Sequence, residues 1–361
     1  MAAVKLLLAG YFGCGNLGDD AILAGFTRAI DERAYDLMLL SGNPDDTFRN
    51  YGVLSVPRRD MTAVTKAIDA CDCLVFPGGG IFQDVTSLGS VAYYASLVRK
   101  AKKRGKRVLL LGQGVGPLNR MLGKRFAAAA FSSADLVTAR DPGSAGLIRS
   151  LGVSKRIEVT ADTSYLLPPP SDIGEDSGFG VGDRRAVGLA PRPFGRGIDV
   201  VGLFGEVAKK LFEANLMPVL VEMDRQADGP LLQEISKKHG GRMPELRKLS
   251  TPTQLQQRFR RMEGMIAMRL HAGILAAKVG IAPLMISYDP KVTAFTKLLD
   301  LPAALGIEGL NAQRLCDKFM ALHKDREQLQ KGVLRRVEEM TRLAQRNIEL
   351  MDETLRPMVR T

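Results

Sequence analysis

The sequence predicts an α/β protein that is built from two doubly wound parallel sheets. Short apolar segments alternate with glycine-rich or polar turns and helical stretches, which is the pattern of parallel strands joined by crossover helices. A segment rich in chain breakers divides this alternation into two series. The 361 residues, of which 45% are apolar, are enough to bury two ordinary cores.

The first series covers residues 1–170 and predicts an N-terminal domain. Its strands are short apolar segments that end at turn residues. They are expected at Val4–Ala9, Asp36–Leu40, Cys73–Phe76, Arg107–Leu111, Leu136–Thr138 and Ile157–Thr160.

The second series covers residues 186–324 and predicts a C-terminal domain, with residues 171–185 as a linker that has no apolar periodicity. Its strands are expected at Ala186–Ala190, Met217–Glu222, Met265–Met268 and Ala282–Ser287. In residues 325–361, apolar side chains keep helical spacing from Leu329 to Met351. This spacing predicts an amphipathic C-terminal helix that packs across the domains.

The segment Gly264–Val292 carries the clearest indication of function. Two apolar strands flank a predicted helix at Leu270–Val279, so the segment forms a βαβ unit. Ligands of parallel α/β sheets bind outside the carboxyl ends of the strands, where Arg269, His271 and Lys291 fall. Two cations and a titratable imidazole indicate an anionic substrate that is handled with proton transfer.

Residues Gly10–Asp20 form a glycine-rich loop between the first strand and the next helix. Its glycines formally match the dinucleotide-binding fingerprint, but no acid follows the second strand at Leu40 to bind a ribose. We interpret the loop as one whose backbone approaches the substrate, with Gly13, Asn16 and Asp19 as candidate contacts. A purely structural glycine turn and a cofactor cradle are the alternatives.

Two further glycine-rich turns follow predicted strands, at Pro77–Asp84 and Gly112–Pro117. Glycines let backbone amides approach a ligand closely, so Gly79, Gly80 and Gln113 are candidate substrate contacts. Plain turn chemistry would explain both segments equally well.

Two arginines stand at predicted strand ends. Arg140 precedes Asp141 and Pro142, which have the residue types of an N-cap and of a first helical position. We expect Arg140 to point toward a ligand with no local partner except Asp141, and a structural ion pair is the alternative. Arg192, after the first strand of the second series, is a further candidate for substrate binding.

The formal net charge of +12 favours acidic partners. The densest basic run, Arg99–Arg107, is explained either by a solvated helix C-terminus or by contact with an anionic membrane surface. No aromatic residues interleave with these cations, which argues against a nucleic-acid partner. Four cysteines without disulfide or zinc spacing favour the cytoplasm, and no signal peptide, membrane-spanning run or metal site is expected.

Taken in order along the chain, the motifs resemble those of the polysaccharide pyruvyl transferase family, and in particular its CsaB-type cell wall enzymes. The resemblance extends over nearly the whole chain, and the combination is far more specific than any single motif. The matching segments are GYFGCGNLGDDAIL, FPGGGIFQD, GQGVGP, TARDPGS, MRLHAGILAAKVG and ISYDPKVTAF.

The resemblance implies a GT-B-like fold, in which two Rossmann-like domains face each other across a cleft, with the acceptor on the N-terminal side and the donor on the C-terminal side. It also implies phosphoenolpyruvate as co-substrate, a free or lipid-linked saccharide acceptor, and no cofactor. The family's functional arginine, histidine and lysine correspond to Arg140, His271 and Lys291. His271 is then expected to act as general acid and base, while the cations, including Arg269, bind phosphate and carboxylate.

Two other classes of protein stay open at this point. A GT-B nucleotide-sugar glycosyltransferase would share the fold, and it would bind a uridine or guanosine diphosphate sugar instead of phosphoenolpyruvate. A non-catalytic anion-binding or membrane-associated protein would bind its ligand without turnover. For the pyruvyl transferase itself, a lipid-linked acceptor implies a peripheral position at the inner face of the cell membrane.

Overall fold

The computed structural model describes residues 3–85, 87–171, 185–195, 197–241 and 243–359. Its contacts divide the chain into two compact units. The first unit comprises Met1–Cys14, Asp19–Pro168 and Met340–Thr361, and the second comprises Gly15–Gly18 and Pro169–Glu339. Most of the predicted linker, residues 172–184, lies outside the described residues.

In the described part of the first unit, eight strands form one sheet. They are β1 (Val4–Leu8), β2 (Tyr35–Ser41), β3 (Leu54–Pro57), β4 (Cys73–Phe76), β5 (Gly79–Phe82), β6 (Arg107–Val115), β7 (Leu136–Ala139) and β8 (Glu158–Val159). The strand order is β3-β2-β1-β4-β6-β7-β8, with β5 paired to β6, and the pairings are parallel. The order reverses between β1 and β4, which creates a switch point of the kind that binds ligands in doubly wound sheets.

Helices connect the strands of the first unit and cover both faces of its sheet. They are α1 (Leu17–Ala29), α2 (Pro44–Tyr51), α3 (Met61–Ala70), α4 (Leu88–Lys103), α5 (Met121–Ser133) and α6 (Pro142–Ser150). The start of α6 follows the sequence prediction, because Asp141 accepts a hydrogen bond from the N–H of Ser144 and Pro142 is the first helical residue. One core cluster contains Leu97 and Phe131, and a second contains Phe26 and Leu39.

The second unit repeats this topology with six strands among its described residues. They are β9 (Arg185–Ala190), β10 (Leu216–Val221), β11 (Glu245–Leu246), β12 (Met262–Ala267), β13 (Leu284–Ser287) and β14 (Leu305–Gly306). The order β11-β10-β9-β12-β13-β14 is parallel throughout and reverses between β9 and β12. The helices are α7 (Val200–Glu213), α8 (Arg225–Lys238), α9 (Pro252–Phe259), α10 (Leu270–Lys278), α11 (Pro290–Leu298) and α12 (Ala312–Lys324).

The long C-terminal helix that the apolar spacing predicts is present as α13 (Arg326–Val359), with 34 residues. Its residues up to Glu339 belong to the second unit and those from Met340 onward to the first. Ile348, Met351 and Leu355 are buried in a core cluster of the first unit, together with side chains of β1 and β2. This burial accounts for the amphipathic pattern of the helix in its second half.

A buried polar network joins α13 to the strand ends of the first unit. The Oδ1 atom of Asn347 accepts hydrogen bonds from the hydroxyls of Thr138 at 2.5 Å and Thr160 at 2.8 Å. Its Nδ2 atom donates to the carbonyl of Ala161 at 3.0 Å, and the N–H of Gly112 donates to Thr138 at 2.6 Å. Every polar atom of the Asn347 amide thus has a partner, as burial requires.

The prediction of turns at the glycine-rich segments Pro77–Asp84 and Gly112–Pro117 is wrong in part. Gly79–Phe82 form β5, and β6 continues through Gly112 as far as Val115. The two segments pair with each other, with Gly79 opposite Gln113, so the glycines lie within a parallel ladder. A positive φ of 52° at Gly112 gives the irregularity that made this segment resemble a turn.

Candidate active site

Cationic and titratable side chains stand at the ends of three neighbouring strands in the second unit. Because β9 and β12 flank the reversal of strand order, residues that follow them lie at the switch point of this sheet. Four of the predicted site residues lie there: Arg192 after β9, Arg269 and His271 after β12, and Lys291 after β13. The fold therefore brings all four to one edge of one sheet.

Arg269 forms a buried ion pair with Asp228 of α8. Its Nε atom lies 3.1 Å from Oδ1 of Asp228, and its Nη2 atom donates to the same oxygen. Asp228 is completely buried and also accepts hydrogen bonds from the N–H groups of Met223 and Asp224. Burial opposes the charge of Arg269, but the Asp228 carboxylate outweighs it, so the pKa of the guanidinium is raised. Arg269 thereby ties the start of α10 to α8.

The guanidinium of Arg192 lies over an aromatic ring, and one of its nitrogen atoms has no acceptor among the described residues. Its Nη1 atom donates to the hydroxyl of Tyr288 at 2.5 Å, and its guanidinium carbon lies 4.5 Å from the centroid of that ring. The Nε atom is buried and has no hydrogen-bond partner among the described residues. A buried N–H of a cation without an acceptor is suited to binding an anionic ligand.

Lys291 lies in the first turn of α11. Asp289 caps this helix and accepts a hydrogen bond from the N–H of Lys291 at 3.0 Å. The same carboxylate holds Nζ of Lys291 at 3.4 Å, while the lysine side chain remains partly exposed. A cation at a helix N-terminus adds to the positive end of the helix dipole, and together they favour a bound anion.

His271 is held against the glycine-rich loop. Residues Gly15–Gly18 of that loop belong to the second unit, where the N–H of Leu17 donates to the carbonyl of Met223 at 2.8 Å. A Cβ atom on Gly18 would lie 2.4 Å from Nδ1 of His271, so only glycine leaves room for the ring. Asn16 shapes the loop, because its Oδ1 atom accepts a hydrogen bond from the N–H of Gly18 at 3.0 Å.

The candidates of the first unit cluster along neighbouring strands. Gly79 pairs with Gln113, and the carbonyl of Gln113 accepts a hydrogen bond from the N–H of Arg140 at 3.2 Å. The amide of Gln113 is completely buried and donates to the carbonyls of Phe76 and Leu111. Its Oε1 atom has no hydrogen-bond partner in the described part of the chain. The Cβ direction of the neighbouring Gly80 is open.

Asp141 is the local acid near Arg140, as expected, but a closer partner comes from Asp162, which is distant in the sequence. Nη1 of Arg140 donates to Asp162 at 2.8 Å, whereas Nε lies 3.7 Å from Asp141, and the Arg140 side chain is only 7% exposed. Asp162 follows β8, the neighbour of β7, and adjacent parallel strands end at the same edge. Arg140 therefore has a structural ion pair, which was the alternative that its sequence position allowed, and its guanidinium also occupies the space in front of Gly114.

Gly13 and Asp19 have local roles in the first unit. Gly13 has a φ of 63°, and a Cβ atom there would lie 2.2 Å from Oγ of Ser41. Its N–H donates to Oδ1 of Asp20 at 3.2 Å. Oδ1 of Asp19 lies 3.5 Å from the Cβ position of Gly79, which places this carboxylate at the switch point. Gly13 is thus explained by packing alone, while Asp19 remains a candidate contact.

The sequence did not indicate the aromatic cluster around Arg58, which follows β3. Its guanidinium carbon lies 5.1 Å from the ring of Tyr11 and 5.2 Å from that of Tyr93. Nη2 donates to Tyr94 at 2.9 Å, and Nη1 lies 3.3 Å from Sγ of Cys14. Burial raises the pKa of the Cys14 thiol, although Arg58 opposes the shift. Only recognition of β3 as a strand would have placed Arg58 at this edge.

The basic run Arg99–Arg107 is partly neutralised by acids of the first unit. Lys102 and Arg107 contact Asp135 at 2.7 and 3.2 Å, and Arg104 contacts Asp69 at 2.5 Å. These pairs, together with the position of the run at the end of α4, favour a solvated helix C-terminus.

No membrane-spanning helix and no metal cluster is found in the described ranges. None of the described helices is long and apolar enough to cross a bilayer. No group of three His, Cys, Asp or Glu side chains among these residues is arranged to hold a metal ion.

Solved structures with similar architecture identify the fold as GT-B-like, with two Rossmann-like domains. MnaA from S. aureus, solved with UDP, is 12% identical, with a TM-score of 0.68 over 98% of this chain and 97% of that chain. A UDP-GlcNAc 2-epimerase from Neisseria meningitidis is 10% identical, with a TM-score of 0.61 over 98% of this chain and 99% of that chain. A glycosyltransferase from Rickettsia africae is 10% identical, with a TM-score of 0.62 over 98% of both chains.

Within this fold class, the chain belongs to the polysaccharide pyruvyl transferase family, whose model matches residues 16–290. The amylovoran biosynthesis protein AmsJ of Erwinia amylovora is 23% identical over an alignment of 406 residues, which covers 93% of this chain and 96% of the relative. The matched range includes Asn16, Gln113, Arg140 and His271, and it ends one residue before Lys291. Membership therefore supports a transferase that modifies a polysaccharide or its precursor.

Proposed function

We propose that the protein transfers the pyruvyl group of phosphoenolpyruvate to two hydroxyls of a saccharide, forming a cyclic ketal and releasing phosphate. The observation that carries this proposal is the convergence of Arg192, His271 and Lys291 at the switch point of the second sheet. Arg192 has a buried N–H donor, and Lys291 lies at a helix N-terminus. Together with the imidazole of His271, these cations suit a small substrate that carries carboxylate and phosphate. Family membership provides independent support.

The reaction needs protons to be moved and negative charge to be stabilised. A proton adds to the methylene carbon of phosphoenolpyruvate while one hydroxyl oxygen bonds to the central carbon. The second hydroxyl then displaces phosphate from the same carbon. The two hydroxyls lose two protons. One equals the proton that is gained by the methylene carbon, and the other leaves with phosphate, so the reaction consumes no external acid or reductant.

We assign proton transfer to His271, because it is the imidazole at this edge and the backbone of Gly18 fixes its position. Lys291 and Arg192 are assigned to the phosphate and carboxylate, which they would stabilise most as the charge moves to the leaving group. Arg269 is assigned a positioning role, since both donor atoms on one side of its guanidinium are directed at Asp228. We further assign Arg140, Gly80 and Gln113 of the first unit to substrate binding, on the correspondence of their motifs with the family.

The acceptor is proposed to be a precursor sugar of a cell wall or exopolysaccharide, presented on a lipid diphosphate at the cytoplasmic face of the membrane. The similarity to AmsJ, an amylovoran biosynthesis protein, supports a polysaccharide pathway. Uridine nucleotides are bound by structural neighbours of the same fold, so a nucleotide-sugar glycosyltransferase is the alternative that an assay must exclude.

The deciding assay measures phosphate release from phosphoenolpyruvate across a panel of acceptor sugars, with and without a lipid diphosphate. We expect release only when an acceptor is present, and a ketal in the product. Transfer from a uridine or guanosine diphosphate sugar, without phosphate release from phosphoenolpyruvate, would replace the proposal with the glycosyltransferase alternative. Binding of phosphoenolpyruvate without turnover on any acceptor would favour a non-catalytic protein.

Calorimetric titration with phosphoenolpyruvate tests the cations. Lys291→Met should weaken binding by about 1.5 to 3 kcal/mol, the usual contribution of a hydrogen bond to a charged group. Lys297→Met is the matched control, because it removes the same charge from an exposed position in the last turn of the same helix. Equal affinities of the two variants would refute the assignment of Lys291.

A further inference from the structure

The first unit exposes three large apolar side chains next to its strand ends. Met121 is 70% exposed, Val85 is 55% exposed and Leu122 is 53% exposed. Exposed apolar residues that occur singly are normal, whereas a group of them marks an interaction surface. We call Val85, Met121 and Leu122 the apolar tip.

Hydrogen bonds from Asp84 bring the members of the apolar tip together. Its Oδ1 atom accepts from the N–H of Asn119 at 2.8 Å, and its Oδ2 atom accepts from the N–H of Arg120 at 2.7 Å. Its own N–H donates to the carbonyl of Pro117 at 3.1 Å. Asp84 therefore fixes the residue after it, Val85, beside the start of α5, where Met121 and Leu122 are the first two residues.

Cations surround the apolar tip. Arg120 precedes α5 as its N-cap, and Lys124 and Arg125 follow one turn later. Because residues three and four positions apart share a helix face, Lys124 and Arg125 lie on the same side as Met121. Arg120 and Arg125 are exposed, and the first turn of α5 contains no acidic residue.

We propose that the apolar tip is a membrane-docking surface, which inserts into the headgroup region of an anionic bilayer while Arg120, Lys124 and Arg125 contact lipid phosphates. Apolar side chains with a cationic border are the combination that holds a protein at such an interface. The net charge of +12 acts in the same direction. The basic run Arg99–Arg107 is a weaker candidate, because Asp69 and Asp135 already pair with its cations.

The apolar tip lies near candidate substrate-binding residues of the first unit, so docking there would bring the membrane surface close to them. Val85 follows β5 and Met121 follows β6, so the tip lies beyond the carboxyl ends of the strands that carry Gly79 and Gln113. A headgroup at the membrane surface would be presented at this edge of the sheet. The inference goes beyond the proposed function, because it requires neither phosphoenolpyruvate nor a ketal.

A second exposed apolar pair provides a matched control. Phe48 of α2 is 56% exposed and Leu54 of β3 is 64% exposed, and they line a shallow pocket of the same unit. Arg49 lines the same pocket but pairs with Asp46 at 2.8 Å, and Asp45 adds a second acid, so this pair has no net cationic border. It should not bind an anionic surface, although its side chains are as exposed as those of the apolar tip.

The chain contains no tryptophan, so one engineered indole reports on its own surroundings. Met121→Trp should show a blue-shifted emission on vesicles of phosphatidylglycerol and phosphatidylcholine, and no shift on phosphatidylcholine alone. Phe48→Trp should show no shift on either. An unshifted Met121→Trp spectrum, or equal shifts of the two variants on the anionic vesicles, would overturn the proposal.

Flotation of the full chain with the same vesicles gives a second measurement. Val85→Ser/Met121→Ser/Leu122→Ser should lower the bound fraction about tenfold or more, given the membrane affinity that each buried methylene provides. Phe48→Ser/Leu54→Ser should float like the parent. If the triple variant also floats like the parent, the apolar tip is not the docking surface. No phosphoenolpyruvate is present, so this result is independent of the outcome of the donor assay.

Discussion

The imidazole of His271 lies directly against the backbone of Gly18. A Cβ atom at Gly18 would meet Nδ1 at 2.4 Å, Cγ at 2.7 Å and the Cβ atom of His271 at 2.8 Å. Because the conflict includes the root of the histidine side chain, rotation of the ring alone would not relieve it. Gly18 is itself held through Asn16, so the loop and the imidazole define each other's position.

Gly18→Ala should therefore displace His271 and lower turnover. A misplacement of about 1 Å can cost roughly a hundredfold in rate, so we expect a loss of about this size with little change in the midpoint of thermal unfolding. The measurement is steady-state phosphate release with a saturating acceptor. Gly332→Ala is the control, because its Cβ direction is open and it lies within α13. Parental turnover in Gly18→Ala would show that the position of His271 is not critical.

His271→Asn should abolish proton transfer while leaving donor binding intact. Loss of a general acid or base lowers turnover by roughly two to four orders of magnitude. Affinity for phosphoenolpyruvate, measured by calorimetry, should stay near the parental value because the cations are unchanged. His239→Asn, at the end of α8, is the matched control and should retain activity. Activity that is lost only together with the fold would favour a structural histidine.

The Arg140 and Asp162 pair should contribute to both stability and binding, and a double-mutant cycle separates the two. Both side chains are buried, so Arg140→Met alone should destabilise the protein by about 3 to 5 kcal/mol through the unpaired carboxylate. Asp162→Asn keeps the hydrogen bond to the N–H of Ser164 and should restore most of that stability in the double variant.

Urea unfolding measures the stability of these variants, and calorimetry measures their phosphoenolpyruvate binding. If Arg140 contacts the substrate, the stable double variant should still bind phosphoenolpyruvate weakly. Parental binding by that variant would reduce Arg140 to a purely structural residue. Additive destabilisation in the cycle would instead show that the two side chains are not coupled.

Asp135 should make the first unit sensitive to acid. Burial alone would raise the pKa of its carboxyl, but Lys102, the N–H of Val108 and Arg107 outweigh it, so the pKa lies below its ordinary value of 3.8. A pKa lowered by folding stabilises the protein above the ordinary value, and the stabilisation is lost as the pH falls through the lowered pKa. The free energy of unfolding should therefore fall less steeply below pH ~4 in Asp135→Asn. The same dependence of the free energy of unfolding on pH in the parent and in Asp135→Asn would contradict this role of Asp135.

Strand periodicity and chain breakers were sufficient to predict both doubly wound sheets and the edge at which the candidate residues lie. Every predicted strand has a counterpart, because a buried parallel strand is a nearly continuous apolar run. The strands that were not predicted are β3, β5, β11 and β14. Of these, β3 lies at the sheet edge, exposes Leu54 and ends in a proline. Without β3, nothing in the sequence indicated that Arg58 stands at a strand end.

The partners of the cations could not be predicted in the same way. Asp228 lies 41 residues before Arg269, and Asp162 lies 22 residues after Arg140. The order of the strands and the helix that follows each strand determine which acid contacts which arginine. Neither can be predicted from the spacing of residues in the sequence. Periodicity thus locates a charge at a strand end, whereas the sheet topology decides whether that charge is already neutralised.

The hydrogen bonds of Asn347 have a consequence for the order of events during synthesis. Thr138 and Asn347 are separated by 209 residues, and the second unit, apart from its four loop residues Gly15–Gly18, is made between them. A nascent chain folds by domains as they emerge, but Thr138 and Thr160 do not gain their hydrogen bonds to Asn347 until residue 347 has left the ribosome. The second unit, which is continuous from Pro169 to Glu339 apart from the four loop residues, should acquire its core first. The part of α13 from Met340 onward, which is translated after the second unit, would then complete the core around β1 and β2.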